Sequence, residues 1–248
     1  MRPLVHGHRG ARALLPENTL PAFEYAIGAG VDAVELDVAV TSDNILIVSH
    51  DPILAPPLCS GPAPQAVIRE LTLAEVKQWN CGGAPIPTLD EVFTLAAPAR
   101  VEWNIEIKSY PGNPEYSPPP VDFARLVLER IREHRLEQRV IVQSFDFRTL
   151  RAVRDLAPAI RRSALTEDDP RDFVTIAREA ADTQMVSPHY SLVTPEKVAQ
   201  AHAAGIQAMA WTVNTPEEWA RMAHAQVDAV ITDDPAALIA FLKARSLR

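Results

Sequence analysis

Three acidic side chains lie where buried strands would bring them to one end of a sheet. Glu35 and Asp37 alternate with apolar residues in the run 33–38, and Glu106 lies near the end of the apolar run 101–107. Residues i and i+2 of a strand point to the same side, so Glu35 and Asp37 project together. Convergent carboxylates repel one another without a cation, and oxygen ligands of this kind suit Mg²⁺, Ca²⁺ or Mn²⁺. The pattern predicts a site for one divalent cation, with solvated or ion-paired carboxylates as the alternative.

Two histidines, His8 and His50, end strand-like apolar runs and supply groups that transfer protons near neutral pH. In the hydrolysis of a phosphodiester, one imidazole removes the proton of the nucleophile and the other protonates the leaving alkoxide. A lone histidine in such a place is more often a core or capping residue. His6 shares the strand face of His8 and is interpreted as a core or supporting residue, whereas His189 stays open.

Basic and aromatic side chains accompany these groups. Arg9 follows His8 directly, and Lys108 lies two residues after Glu106. A guanidinium can bind two phosphate oxygens, and an ammonium acts as a point charge. We therefore predict that both side chains contact a phosphate. An ion pair of Lys108 with Glu106 or Glu35 is compatible with this function. Trp211 ends another strand-like run, where a substrate wall and core packing are about equally expected.

Composition limits the possible function classes. The chain has 248 residues, 47% of them hydrophobic, and a formal net charge of -8, which argues against a sequence-independent grip on nucleic acid. We find neither an apolar leader before the first strand nor a run near the roughly 18 apolar residues of a membrane span, which predicts a soluble cytoplasmic protein. Cys59 and Cys81 lack metal-ligand spacing, so free thiols are expected and a disulfide is the minor alternative.

Short apolar runs alternate with longer amphipathic ones, which predicts repeated βα units around a parallel sheet. Eight core-strand candidates, the number of a TIM (β/α)8 barrel, are residues 4–8, 33–38, 101–107, 140–144, 161–165, 184–187, 207–212 and 229–232. An open doubly wound sheet is the structural alternative, but no Gly-rich phosphate turn supports it. We predict a single domain over 1–248. Helix starts with capping-box spacing are expected at Thr72, Thr88 and Thr215.

Three further segments interrupt the regular alternation of predicted strands and helices. An extra strand over 45–49 is expected after a turn at Asp43-Asn44, because both residues tolerate left-handed conformations. The proline-rich stretch of about 52–87 reads as an insertion over the barrel mouth, too small for an independent domain. Residues 109–120 contain five prolines and follow Lys108, so they form either a stiff loop on the catalytic face or a plain connector.

The order and spacing of several motifs together resemble the glycerophosphodiester phosphodiesterases, a family of TIM barrels, over nearly the whole chain. The motifs are His8-Arg9-Gly10, Pro16-Glu17-Asn18-Thr19, Glu35-Leu36-Asp37, His50-Asp51-Pro52, Glu106-Ile107-Lys108, Gln143-Ser144-Phe145, Trp211-Thr212-Val213-Asn214 and Ile231-Thr232-Asp233. The resemblance implies hydrolysis of a glycerophosphodiester to glycerol 3-phosphate and an alcohol. The attacking group is either the glycerol 2-hydroxyl or water.

The resemblance also implies functions for individual residues. The acid/base pair would be His8 and His50, and the divalent metal, which also engages the glycerol hydroxyls, would be held by Glu35, Asp37 and Glu106. Arg9 and Lys108 match phosphate-contacting positions. Asn18 matches a polar site residue, with capping of a helix over 19–27 as its alternative.

One departure from the family pattern leaves other functions open. Many relatives carry an Arg-Thr-Thr-like stretch after the position of Asp51, where this chain has the apolar residues 53–58. Such a stretch would suit a lip for an acyl chain, which keeps a lysophospholipase D-type enzyme as an alternative. A non-catalytic phosphate-binding barrel and a nuclease are weaker interpretations. The preferred metal, the headgroup alcohol, the identity of the base and the oligomeric state stay undetermined.

Overall fold

Eight parallel strands close into a barrel in the part of the chain that the structure describes, residues 2–95 and 101–248 of a computed structural model. The strands are β1 (Leu4–Gly7), β2 (Ala33–Val40), β3 (Glu102–Ile107), β4 (Val140–Ser144), β5 (Arg161–Thr166), β6 (Met185–Pro188), β7 (Gln207–Ala210) and β8 (Ala229–Thr232). Consecutive strands pair side by side, and β1 pairs with both β2 and β8, which closes the ring. The predicted TIM barrel is confirmed, and the open sheet is wrong.

The predicted strand ends differ from the observed ones by only a few residues. β2 continues to Val40 because the strand Leu46–Val48 pairs with its end in antiparallel fashion. The turn before that extra strand places Asn44 at φ 61, as expected for a left-handed position. β7 ends at Ala210, and Trp211 makes only an isolated bridge to His189.

A helix follows each barrel strand within the described ranges. The barrel helices are Leu20–Ala29, Leu89–Leu95, Pro120–Glu133, Phe147–Leu156, Phe173–Glu179, Pro195–Ala203, Pro216–His224 and Pro235–Ala244. The capping boxes at Thr72 and Thr215 are present, and Thr88 exchanges the same reciprocal hydrogen bonds with Glu91. None of the helices described here has both the length and the apolar character that crossing a bilayer requires.

The main core fills the space between the barrel and its helices. All eight residues of β2 are buried, because one face of the strand lines the barrel and the other packs against helices. Trp103 on β3 packs edge-on against Phe23 of the first helix, with ring centroids 6.1 Å apart. This rigid scaffold holds the carboxyl ends of the strands together at one mouth.

The segment 52–87 folds as an insertion between β2 and β3, as predicted. Its elements are the short strands Ile53–Leu54, Cys59–Ser60, Ala66–Val67, Asn80–Cys81 and Ala84–Pro85, the 3-10 helix Ile68–Glu70 and the helix Leu73–Val76. Its apolar cluster includes Trp79 and Leu54 and also Ala39 of β2 and Ile47, so the insertion packs on the barrel. That the chain forms one domain stays a prediction.

Cys59 and Cys81 are joined in a disulfide bond, so the expectation of free thiols is wrong. Their strands run antiparallel, and the register places the two cysteines directly opposite each other. The 22-residue separation along the chain carried no information about this register. Only the folded insertion brings the sulfur atoms together.

The opposite end of the barrel contains a larger cavity, of about 660 Å³, at the amino ends of the strands. Its lining includes His6, which is 1% exposed and whose ring nitrogens have no hydrogen-bond partner among residues 2–95 and 101–248. Burial lowers the pKa of His6 to about 4, with Asp32 raising it and Arg161 lowering it by smaller amounts. His6 is therefore a neutral residue inside the barrel, at the amino ends of the strands. This agrees with its interpretation as a core or supporting residue.

Acidification is expected to destabilise the protein through His6. Between pH 6.5 and about 4 the unfolded chain binds a proton on this residue and the folded chain does not, so the stability falls as the pH falls. The whole interval corresponds to roughly 3 kcal/mol of unfolding free energy. Urea denaturation at several pH values should show a smaller loss for His6→Phe than for the wild type. The exposed His224 supplies the control His224→Ala, and parallel curves for wild type and His6→Phe would contradict the expectation.

Candidate active site

The three predicted carboxylates meet at the carboxyl end of β2 and β3. The strand register places Asp37 directly beside Glu106, and Glu35 lies two residues earlier on the same face of β2. All three side chains are buried, and each offers an oxygen within 4.8 Å of the oxygens of the others. This convergence arises because two adjacent parallel strands end at the same height in the barrel.

Neighbouring groups fix two of these carboxylates from several sides. Glu35 accepts hydrogen bonds from the backbone N–H of Arg9 at 2.9 Å and from Nε2 of Gln143 at 3.1 Å. Asp37 accepts from Nδ2 of Asn18 at 2.9 Å, whereas its buried Oδ1 has no hydrogen-bond partner in the part of the chain that the structure describes. The ammonium of Lys108 lies 3.0 Å from Glu106, which is the ion pair foreseen for this lysine.

Burial and neighbouring charges shift the pKa values of the three triad carboxylates in different directions. Burial, together with the charges of Asp37 and Glu106, raises the pKa of Glu35 well above its ordinary value. Burial also raises the pKa of Glu106 to about 7 against the opposing effect of Lys108. For Asp37, burial is outweighed by Arg9, Lys108 and His50, and the pKa falls to about 2.

A divalent cation fits this donor set. Its charge would offset the burial and the mutual repulsion that raise the pKa values of Glu35 and Glu106, and Oδ1 of Asp37, which has no hydrogen-bond partner among the described residues, is an available ligand atom. Oxygen donors alone are the ligand set of hard cations. The described residues thus contain a buried acidic triad with which a divalent metal is compatible.

The two predicted catalytic histidines lie on different elements of the mouth and line the same cavity. Nδ1 of His8 contacts Oδ1 of Asp233 at 2.5 Å, and its side chain is 11% exposed. This contact leaves the other ring nitrogen of His8 for the cavity when Nδ1 carries the proton.

His50 follows the extra strand Leu46–Val48 and is more exposed than His8. Its Nδ1 contacts Oδ1 of Asp51 at 2.7 Å, and its backbone carbonyl accepts a hydrogen bond from the Tyr110 hydroxyl at 3.0 Å. Tyr110 belongs to the proline-rich stretch 109–120, so that stretch contacts the site. Burial lowers the pKa of His50, helped by Lys108 against the effect of Asp37.

Arg9 lies in a tight turn that directs both its backbone and its side chain at the triad. Its φ is 48°, and Gly10 follows with φ 90°. A side chain at Gly10 would bring a Cβ within 2.7 Å of the Ala22 backbone, so only glycine fits. The guanidinium contacts Glu17 at 2.7 Å and Asp37 at 3.2 Å.

Asn18 is buried, has φ 58° and hydrogen-bonds Asp37 through its side chain. The residue at the helix N-cap is Thr19, and that helix has no side-chain cap. The capping alternative for Asn18 is therefore wrong, and its assignment as a polar site residue stays a prediction. Asn18 does not line the mouth cavity itself.

The mouth cavity has a volume of about 390 Å³. Its lining comprises His8, Arg9, Arg12, Glu35, His50, Glu106, Lys108, Gln143, Phe145, Leu165, Glu167, Trp211, Thr212 and Ile231. Trp211 thus faces the cavity, and its Nε1 donates to the Ser187 carbonyl at 2.8 Å. The core alternative for Trp211 does not hold, because the ring is only partly buried.

Several residues that sequence reasoning did not place in the site support it. Asp233 orients His8 and is itself held by Asn214, whose Nδ2 donates at 2.9 Å. Gln143 connects Glu35 to Asn104 beneath the triad. Asp233, Asn214 and Gln143 lie in motifs at the ends of barrel strands, and that position was the available signal.

The apolar stretch 53–58 is partly buried, and a lip for an acyl chain at this place stays an untested alternative. Leu54 is fully buried in the core of the insertion, and Leu58 is the exposed large apolar side chain of this stretch at 36%.

The fold and the site together define a TIM-barrel enzyme with a buried acidic triad, two histidines and three cationic side chains at its mouth. The sequence model of the glycerophosphoryl diester phosphodiesterase family matches residues 8–237. The chain belongs to this family, and the resemblance carried by its motifs is confirmed.

Known relatives match almost the entire chain. A glycerophosphodiester phosphodiesterase of Caldanaerobacter subterraneus subsp. tengcongensis is 35% identical over 251 residues, covering 96% of this chain and 97% of the relative. A crystal structure from Silicibacter pomeroyi, of a protein assigned as a glycerophosphoryl diester phosphodiesterase, superposes with a TM-score of 0.90 at 30% identity. The match covers 98% of this chain and 94% of that chain. An Oleispira antarctica phosphodiesterase solved with the product sn-glycerol-3-phosphate gives a TM-score of 0.87 at 25% identity, covering 97% of each chain.

Proposed function

We propose that this enzyme hydrolyses glycerophosphodiesters to glycerol 3-phosphate and an alcohol, with His8 and His50 as the acid/base pair and with one divalent cation held by Glu35, Asp37 and Glu106. The observation that carries the proposal is that one cavity of about 390 Å³ is lined by both histidines, by triad carboxylates and by Lys108. The sn-glycerol-3-phosphate bound to the Oleispira antarctica relative supports the choice of product.

The carboxylates Glu35, Asp37 and Glu106 would hold Mg²⁺ or Ca²⁺, with Mn²⁺ as a third candidate. Bound there, the cation supplies Lewis-acid polarisation of the oxygens of the substrate. Arg9 and Asn18 support the proposal because their hydrogen bonds fix the orientations of Glu35 and Asp37.

Proton transfer falls to the two histidines. Asp233 holds Nδ1 of His8, so the Nε2 atom of that ring is the one that exchanges a proton in the cavity. Two oxygens exchange protons in the reaction, that of the attacking hydroxyl or water and that of the departing alcohol. His8 acts on one of them and His50 on the other. One ring accepts the proton of the attacking hydroxyl or water, and the other donates a proton to the departing alcohol oxygen. Lys108 and Arg9 supply positive charge beside the phosphate as its negative charge grows.

The net charge and the cysteines bear on the partners and the location of the enzyme. The net charge of -8 favours a small-molecule substrate over nucleic acid. A cytoplasmic location stays part of the proposal, although the Cys59–Cys81 disulfide bond is more typical of oxidising compartments.

The test is release of glycerol 3-phosphate from glycerophosphocholine and glycerophosphoethanolamine, first with EDTA and then with Mg²⁺, Ca²⁺ or Mn²⁺ restored. We expect metal-dependent release from both diesters. Lysophosphatidylcholine is assayed in parallel. Turnover of the lysolipid alone would replace the proposal by a lysophospholipase D-type activity, and no turnover of any of these substrates would contradict both.

A further inference from the structure

The mouth cavity has a second half that the proposed chemistry does not use. The triad and Lys108 belong to β2, β3 and the residue after β3, whereas Phe145, Glu167 and Trp211 follow β4, β5 and β7. A phosphodiester has two arms. If the glycerol arm lies against the triad, the alcohol arm extends towards this second half.

Aromatic rings form one side of this half. Phe145 is 43% exposed, and its ring packs nearly perpendicular to that of Trp211, with centroids 5.6 Å apart. The ring of His189 is also nearly perpendicular to that of Trp211, with centroids 5.4 Å apart. With Nε1 of Trp211 tied to the Ser187 carbonyl, the ring is held in place. Rigid aromatic rings at an open cavity suit a cationic group, because their faces carry negative electrostatic potential.

A carboxylate without a partner lies in the same half. Glu167 is exposed, lines the cavity, and forms no ion pair or hydrogen bond within residues 2–95 and 101–248. The cationic side chains that line the cavity are all engaged: Arg9 with Glu17 and Asp37, Arg12 with Glu17 and Asp233, and Lys108 with Glu106. The uncompensated charge of this half is therefore negative.

We infer that Phe145, Glu167 and Trp211 form a headgroup subsite that selects glycerophosphodiesters whose alcohol carries a quaternary or primary ammonium group. This inference rests on the proposed function, because it assigns the leaving alcohol of the same reaction. The aromatic pair contacts the ammonium and its carbon substituents, and the Glu167 carboxylate supplies the opposite charge. A headgroup that bears an additional carboxylate is disfavoured by repulsion from Glu167.

The experiment compares kcat/KM of the metal-loaded enzyme for glycerophosphocholine, glycerophosphoglycerol and glycerophosphoserine. We expect a preference of about tenfold for the choline diester over the neutral one, from cation–π contact and charge together. Glu167→Gln should reduce this ratio about threefold, and Phe145→Leu should reduce it by a similar factor. The contribution of Glu167 should shrink as salt is added, because exposed charges are screened.

The matched control is Asp168→Asn. Asp168 is the next residue along the chain, is exposed, carries the same charge and does not line the cavity. Asp168→Asn should leave the choline-to-glycerol ratio near the wild-type value. Equal kcat/KM values for the cationic and neutral diesters would overturn the inference while leaving the proposed function intact. Equal shifts of the ratio in Glu167→Gln and Asp168→Asn would also overturn it, since the effect would then be a general one of surface charge.

Failure of the proposed function has a different signature. If the metal-loaded enzyme hydrolyses none of the diesters, their binding to the same protein is measured by calorimetry. Tighter binding of glycerophosphocholine than of glycerophosphoglycerol, with the difference reduced in Glu167→Gln, would support the subsite even so. Equal affinities, or no binding of either diester, would overturn it.

Discussion

Replacing His8 or His50 with alanine is expected to lower kcat at least about 100-fold for a glycerophosphodiester, because in the proposed mechanism each ring transfers one of the two protons of the reaction. The affinity for the divalent cation should stay nearly unchanged, since neither imidazole belongs to the acidic triad. Steady-state kinetics and calorimetric titration of the metal measure the two quantities separately. Near-normal turnover in either variant would contradict the assignment of that histidine as acid or base.

Two controls separate this effect from a loss of structure. His224 is exposed on the helix Pro216–His224 and does not line the mouth cavity, so His224→Ala should retain full activity. His8→Ala leaves the buried side of Asp233 without its imidazole, so His8→Gln is a second variant that keeps a polar side chain there. Loss of activity in both variants with an unchanged thermal midpoint would place the defect in proton transfer and not in folding.

Replacing Glu35 and Asp37 together with alanine is expected to abolish binding of the divalent cation, and with it the activity. Two of the three oxygen donors of the triad are lost, and Glu106 alone is already neutralised by its contact with Lys108. Calorimetric titration with Mg²⁺ and Ca²⁺ measures the result. Retained stoichiometric binding would show that the metal binds elsewhere.

The alanine variants remove buried side chains and could lose metal binding because they unfold. A near-isosteric double variant separates loss of the metal site from loss of the fold. Glu35→Gln with Asp37→Asn keeps the shapes and removes the charges. In the wild type, saturating metal should raise the thermal midpoint, because only the folded chain offers the site. The double variant should fold without metal and show no such rise. Glu24→Ala with Glu129→Ala, both exposed on barrel helices, is the matched control and should respond to metal as the wild type does.

The residues of the proposed site were predictable from the sequence because they sit in local patterns. The alternation in residues 33–38 places Glu35 and Asp37 on one face whatever the rest of the chain does, since that is a property of the extended backbone. The count and spacing of apolar runs predicted the eight strands, and the strand-end position of His8 predicted that it faces the mouth. Capping boxes at Thr72 and Thr215 predicted helix starts for the same reason: their hydrogen bonds span only three residues.

Tertiary structure alone decided the relations between distant segments. The pairing of Asp37 with Glu106 depends on the register of β2 against β3, and the support of His8 by Asp233 joins positions 225 residues apart. The sequence also gave no sign of the Cys59–Cys81 disulfide bond, or that Glu167 lines the same cavity as Phe145 and Trp211. Local pattern fixes which way a side chain points, but the neighbour it meets is set by strand register and barrel closure, which depend on packing summed over the whole molecule.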